Sequence, residues 1–426
     1  MEPDQQRTRR QRNVAFSLGA AAFVLAFFHR VAPGAISADL RHTYSASATL
    51  LGFIAAMYFY PYALMQLPSG MMADSVGPRR LCFGGLVVAG AGSILFGYAP
   101  DAFWLLIGRG LVGLGVAVAF VSVLKLIANW FGEHEFGTWV GMLMLLGNLG
   151  GTLATAPLAW VTQTLSWRHV FGGIGGLSLL LAVCIWLWVR DSPQVHTAVA
   201  VPPRGSWRKG FLRVARNSDT WPVFFIHFSL IGCYLAFAGL WAVPYLTGGM
   251  GLTLADATLH ITAMILAFAL ASFGVGAISD RMRRRLPLLR WLSVMYVGSW
   301  LPWVMGWHMP AWASYAVFIA MGVGIGGASL SWALAKELTP PELSGTATSF
   351  VNMGGFIGAA LFQPLTGWVL DRSGAALALD DYRRAATLLA LISLVGLVVA
   401  FRIRETGCRN AWAGGGGLAS PLSTGS

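Results

Sequence analysis

A chain of 426 residues with 56% hydrophobic and only 11% charged residues cannot hide its apolar side chains in a soluble core, since soluble domains carry about 25% charged residues. The net charge of +12 would point to nucleic acid in a soluble protein. Here Lys and Arg sit in short loops between apolar runs, where membrane topology accounts for them, and no nucleic-acid partner is expected. Four scattered cysteines, Cys82, Cys184, Cys233 and Cys408, give neither CxxC nor metal spacing, so no disulfide framework, metal or other cofactor is indicated.

The apolar runs are about 20 residues or longer and do not alternate, which selects membrane helices over barrel strands. Residues 1–13 read as a polar, Arg-rich cytoplasmic tail, followed by an uncleaved first span for want of a small-residue cleavage site. Spans are predicted at 14–40, 48–73, 81–100, 103–130, 138–163 and 168–189, forming an N-terminal six-helix bundle over 14–189. The polar stretch 190–220, with Pro202, Pro203 and Arg204, reads as a central linker. Within it Trp207–Arg216 is either a basic amphipathic helix on the membrane surface or a solvated segment. Six more spans, 221–246, 256–279, 287–307, 312–336, 344–370 and 384–403, form a C-terminal bundle over 221–404. The remainder, 405–426, with Gly414–Gly417, reads as a disordered tail.

The loop charges orient the chain. With the N-terminus in the cytoplasm, 21 Lys and Arg fall in cytoplasmic segments and five in outer ones (Arg41, Arg168, Arg372, Arg383, Arg384). Both termini are therefore expected inside. An internal repeat divides the spans into sixes. Gly70–Asp74 recurs as Gly276–Asp280, Gly137-Thr138 as Gly345-Thr346, Asn148-Leu-Gly-Gly151 as Asn352-Met-Gly-Gly355, and Pro157 as Pro364. The offsets are nearly constant. Six spans per copy preserve orientation, so the halves are parallel repeats, which place a substrate site at their interface.

The loop after span two carries Gly70, Asp74, Gly77, Arg79 and Arg80; that after span eight carries Gly276, Asp280, Arg281 and Arg284. Both resemble the Gly-x-x-x-Asp-Arg/Lys-x-Gly-Arg-Arg/Lys loop signature of the major facilitator superfamily, with Ser75 in place of a base in the first copy and no inner Gly in the second. Arg109-Gly-Leu-Val-Gly113-Leu-Gly115 is similar to that family's span-four element. The resemblance covers about 14–404. It implies an all-α membrane fold of twelve transmembrane helices in two bundles, and a loop that latches the halves on the cytoplasmic side. Gly147 and Gly151 in span five resemble an antiporter signature only in part, since Pro157 is displaced; close helix packing explains them.

All seventeen acidic residues fall in loops or at span ends, so the interior charges are basic: Arg30, Arg109 and Lys125. An ionisable group inside a bilayer is costly and marks function. Phe27–Pro33 is reminiscent of the organophosphate:phosphate antiporters, whose span-one Arg holds the substrate anion; their second Arg, in span seven, is missing here, where His227 and Tyr234 stand. Arg30 therefore either grips an anion with its planar fork or snorkels to headgroups. Lys125 can bind an anion, snorkel or pair with Asp74. Arg109 reads as structural, donating to carbonyls, with Gly113 beside it. His29, Tyr58, Tyr62, Asn148, Trp332 and Asn352 complete the candidate site, with Gln66 and Gln363 as further polar positions. Without an interior carboxylate, a coupling proton would need His29 or His227; otherwise the protein exchanges anions or equilibrates one solute.

The reading that results is a secondary transporter of a small, anionic organic solute, working by rocker-switch alternating access in a bacterial inner membrane, as a monomer. The alternatives are a polyspecific exporter, which would want a buried acid, and a transporter-like solute sensor. An enzyme is not expected, since HExxH, GxSxG and paired intramembrane Asp are all missing.

Overall fold

In lipid each backbone N–H and C=O must find its partner within the crossing segment, so long apolar runs become helices. The computed structural model describes residues 3–192, 206–372 and 377–411, and no strand occurs among them. Eleven helical segments are long and apolar enough to cross a bilayer: α1 (Arg9–Ala35), α2 (Ala48–Met65), α3 (Pro78–Gly97), α4 (Ala102–Trp130), α5 (Glu135–Val161), α6 (Trp167–Trp188), α7 (Thr220–Gly249), α8 (Leu254–Met282), α10 (Ala311–Glu337), α11 (Pro341–Asp371) and α12 (Leu379–Ala400). The ninth crossing, α9, is broken. Leu286–Gly298 passes through Ser299 and Trp300 into Leu301–Met305, where Pro302 has no N–H to continue the ladder. It still runs the length of α12. Arg290 Nε donates to the Ala400 carbonyl at one end (3.2 Å) and Arg383 Nε to that of Val304 at the other (3.0 Å). With α9, the described residues supply twelve crossing segments.

Exposed tryptophans ring both ends, as interfacial anchors do. Trp104, Trp160, Trp307 and Trp312 lie at the end that holds Tyr44; Trp186, Trp188, Trp221 and Trp291 lie at the end that holds Arg79. The repeat is realised as two bundles with matching close contacts. A Cβ on Gly150 of α5 would sit 2.2 Å from the Val24 carbonyl oxygen of α1, and one on Gly358 of α11 2.3 Å from that of Phe228 in α7. Where lipid is as apolar as the side chains, such van der Waals approach supplies much of the helix association. The apolar window of α7 is 83% buried, that of α8 only 22%. Along α7, wide π-type turns at His227–Ile231, Phe237–Trp241 and Tyr245–Gly249 re-aim the side chains, a distortion that recurs at functional sites.

Several expected boundaries are corrected. The first helix starts at Pro3, so residues 3–13 are not a tail apart from it. Arg12 lies over the Phe131 ring and pairs with Glu135 at 3.6 Å. That helix ends at Ala35, and Ser37–Tyr44 forms its own short helix. Ser206–Arg216 is helical and docks on the C-terminal half, with Phe211 against Phe350 and Asn217 donating to the Leu338 carbonyl. Pro202, Pro203, Arg204 and Gly414–Gly417 lie outside the described residues. Residues 405–411 are held, against the expected disorder: Asn410 donates to the Lys336 and Thr339 carbonyls.

Glu405 accepts the N–H groups of Arg285 and Leu286, each at 2.9 Å, at the first turn of α9, and those of Thr406 and Gly407. Burial pushes its pKa up, but these backbone hydrogen bonds outweigh burial and hold it below the usual glutamate range. A depressed folded pKa contributes stability above the unfolded value, about 4.3, which is lost as pH falls through the folded one. Glu405→Gln is expected to lower stability at pH 7 by about 1 kcal/mol, the scale of a lost helix cap. In thermal melts against pH, the gap from wild type should close once the wild-type carboxylate is protonated. A gap that persists in acid would refute the assignment.

Candidate functional site

The two halves meet most closely towards the Tyr44 end. Asp371 of α11 accepts the N–H groups of Ala48 and Thr49, each at 2.8 Å, and so caps the first turn of α2 across the interface. Tyr60 donates to the Ala360 carbonyl (2.9 Å), and the hydroxyls of Thr155 and Thr262 meet at 2.7 Å. Nearer the Arg79 end, Asn352 Nδ2 donates to Gln66 Oε1 at 2.8 Å. At the Arg79 end itself the ion pairs stay within one half: Lys125–Asp74 in the first, Arg285–Asp280 and Arg285–Glu337 in the second.

Arg30 projects from α1 into the interface between the halves. Its guanidinium lies 4.3 Å from the Phe27 ring centre, 5.4 Å from Tyr62 and 5.2 Å from Phe356 of the opposite half. It donates to the Tyr62 hydroxyl at 3.3 Å, while its Nε has no partner. None of the ion pairs among the described residues involves it. Three cation–π contacts at about 0.5–2 kcal/mol each offset part of the several kcal/mol that a desolvated charge costs. The cage therefore stabilises the cation without neutralising its charge. The alternative reading, a snorkelling headgroup contact, does not fit a side chain caged between two bundles.

The other predicted residues divide. Tyr62 stacks on Tyr58 (5.5 Å) and lies under the Arg30 guanidinium. Tyr58 is fully buried and donates to the Ala26 carbonyl, so it supports Tyr62 from behind. Tyr234 packs on Phe268. One turn beyond Tyr62, Gln66 meets Asn352. His227 Nδ1 contacts the Ser331 hydroxyl at 2.8 Å and its ring lies against Trp332, whose indole N–H has no partner. Gln363 is buried, and its Nε2 reaches the Leu235 carbonyl.

Three further expected ligands are engaged within the N-terminal half. His29 is buried inside the N-terminal half against Phe28 and Phe171. Lys125 spends its charge on Asp74 at 2.6 Å. Asn148 donates along its own helix to the Met144 carbonyl. Arg109 is fully buried and donates to the carbonyls of Ile54 and His29, while Gly113 abuts the Tyr58 backbone, where a Cβ would come within 2.1 Å of the carbonyl oxygen.

The two loops show how the residues of the loop signature are held. Gly77 has φ +90°, which L side chains rarely adopt, and a Cβ there would meet Asp191 at 2.8 Å. Asp191 accepts the Arg79 N–H at the start of α3 (2.7 Å), and the Arg79 guanidinium donates to the Trp186 carbonyl and lies over that indole. Glu405 does for α9 what Asp191 does for α3. Arg80, Arg281 and Arg284 are exposed, and nothing lies within 4 Å of a Cβ on Gly70. The second loop works instead through Arg285, buried between Asp280 (2.6 Å) and Glu337 (2.8 Å). Sequence reasoning missed Asp191, Glu337 and Glu405. A signal existed for two of them: Arg190-Asp191 closes the sixth span as Arg404-Glu405 closes the twelfth.

The family model described as Major Facilitator Superfamily matches residues 18–363. A probable sulfoacetate transporter of Cupriavidus necator is 24% identical over 85% of this chain and 88% of its own. The D-galactonate transporter of Escherichia coli is 25% identical over 88% and 93%. The membrane sensor protein UhpC of Salmonella typhimurium is 25% identical over 85% of both chains. In fold, the chain resembles the crystal structure of a bacterial homolog to the human lysosomal transporter Spinster, with a TM-score of 0.74 at 14% identity over 98% of this chain and all of that one. The chain is a multi-pass membrane protein and belongs to the Major Facilitator Superfamily.

Proposed function

We propose that the chain is a secondary transporter that carries a small organic anion by alternating access, with Arg30 as the anchor for the anionic group. The observation that carries this reading is the guanidinium of Arg30, caged by Phe27, Tyr62 and Phe356 without a carboxylate partner. One cation favours a substrate with one anionic group, a carboxylate or sulfonate. The next layer, Gln66, Asn352 and Ser331, is neutral and hydrogen-bonding, which suits a hydroxylated tail. The names of the sulfoacetate and D-galactonate transporters support the same class.

With the orientation expected from the loop charges, the Tyr44 end is outside, both termini are cytoplasmic, and the chain faces inward. Lys125–Asp74 and the Arg285 pairs are then latch elements at the open end. An interior without acids speaks for anion exchange over carboxylate-based proton coupling. The similarity to a membrane sensor protein keeps a second reading open, in which the anion is sensed and not moved. Counterflow in proteoliposomes separates the two: accumulation of labelled D-galactonate above protein-free vesicles is expected. Binding of that probe without flux would overturn transport and favour sensing.

A further inference from the structure

The basic surface helix Ser206–Arg216 takes no part in the crevice. Its inner side is spent on the C-terminal half: Val214 is buried, Gly210 abuts Leu343, the Thr220 hydroxyl donates to the Val214 carbonyl (2.9 Å), and the Trp221 indole donates to that of Ala215 (2.8 Å). Its outer side exposes Arg208, Lys209, Arg213 and Arg216 together with Leu212. Lys209, Leu212, Arg213, Arg216 and the turn 217–219 line an open cleft of about 550 Å³. The acids nearby are Asp219, in the cleft, and Glu342, 3.7 Å from Arg213 in a pair exposed on both sides. Three lining cations against Asp219 in the cleft and Glu342 beside Arg213 leave the cleft positive. Trp221, which bonds to this helix, and Phe225, whose ring meets Trp221 at 5.8 Å, are both exposed at the start of α7.

We infer that this cleft binds the headgroup of an anionic phospholipid, with the phosphate on Lys209, Arg213 and Arg216 and the acyl chains along Leu212, Trp221 and Phe225. Amphipathic basic helices hold anionic leaflets by burying an apolar face while their cations meet the headgroup charge. Trp and Phe at the rim select a lipid over a free anion, since a soluble phosphate leaves those apolar surfaces uncovered. The helix rests on α11, which also carries Asn352, Ala360 and Asp371 across the crevice.

The test uses the full chain in phosphatidylcholine nanodiscs with increasing phosphatidylglycerol, reading retained lipid by native mass spectrometry and melting temperature. The wild type is expected to retain phosphatidylglycerol preferentially and to melt higher as its fraction rises. The triple variant K209Q/R213Q/R216Q should lose that preference, by about fivefold per cation removed, while K209R/R213K/R216K keeps it. Should the triple neutral variant not fold, K209Q and R216Q alone carry the test in smaller steps. A preference undiminished in the neutral variants would overturn the proposal, and so would inorganic phosphate that displaces the lipid or raises the wild-type melting temperature equally. Because retention and melting are read without flux, the result stands apart from whether the chain transports.

Discussion

Arg30→Gln is expected to weaken binding of the transported anion by about ten- to a hundredfold. A hydrogen bond to a charged group gives about 1.5–3 kcal/mol, and every 1.4 kcal/mol is a tenfold change in affinity. Glutamine keeps a donor but is shorter and loses the charge. Arg30→Lys should fall between, since an ammonium is a point charge that cannot pair two oxygens in one plane. Without ligand, the melting temperature of Arg30→Gln should move little: removal relieves a desolvated cation but also forfeits contacts with Phe27, Tyr62 and Phe356. The ligand-induced rise in melting temperature should vanish. Titration of purified protein with D-galactonate, with a neutral sugar alcohol as control, reads both. An unchanged dissociation constant would remove Arg30 from the site and with it the proposed substrate class.

The same residue illustrates what a sequence can reveal here. A charge inside an apolar run is conspicuous, so Arg30, Arg109 and Lys125 are found by inspection. Their surroundings are not equally visible. Phe27 lies three residues before Arg30, on the same face of α1, whereas Phe356 is brought there by the meeting of α1 and α11 and has no local signal. His29 could have been set aside: neighbours on a helix point about 100° apart, so a helix that turns Arg30 to the crevice turns His29 into its own bundle. In the second loop, Arg283 at φ +50° makes the turn that delivers Arg285 to Asp280 and Glu337, and no spacing rule distinguishes it from Arg281 or Arg284.

The crossings were legible because hydropathy over about 20 residues reports the bilayer directly. The break in α9 at Ser299 and Trp300 was not, because hydropathy is blind to it; its local signal was Pro302, which removes a ladder donor just beyond. The helical start at Pro3 was missed for a related reason: polar residues do not end a helix that already has a stable segment to extend. Residues 405–411 read as disordered because their order comes from Arg285, Glu337 and the carbonyls of Lys336 and Thr339, all distant in the chain.

Gly52→Ala and Gly367→Ala are expected to shift the protein away from the arrangement described here. A Cβ on Gly52 would lie 2.5 Å from the Gln363 carbonyl oxygen and 2.5 Å from the Pro364 Cα; one on Gly367 would lie 2.2 Å from the Ala48 carbonyl oxygen. All three contacts are with backbone of the opposite half, which cannot rotate aside. A methyl group therefore forces α2 and α11 apart, and the caps that Asp371 places on Ala48 and Thr49 are strained with them. Overpacking of this kind costs about 1–3 kcal/mol, enough to change a two-state ratio by roughly five- to more than a hundredfold. Spin labels at Gln163, exposed in the turn after α5, and Ala255, exposed at the start of α8, should report a longer distance in either variant, and transport should fall with it. Gly70→Ala, where a Cβ meets nothing within 4 Å, should leave the distance unchanged. Unaltered label distances in both variants would mean that the Tyr44-end contact does not move, and the rocker-switch mechanism would fail for this chain.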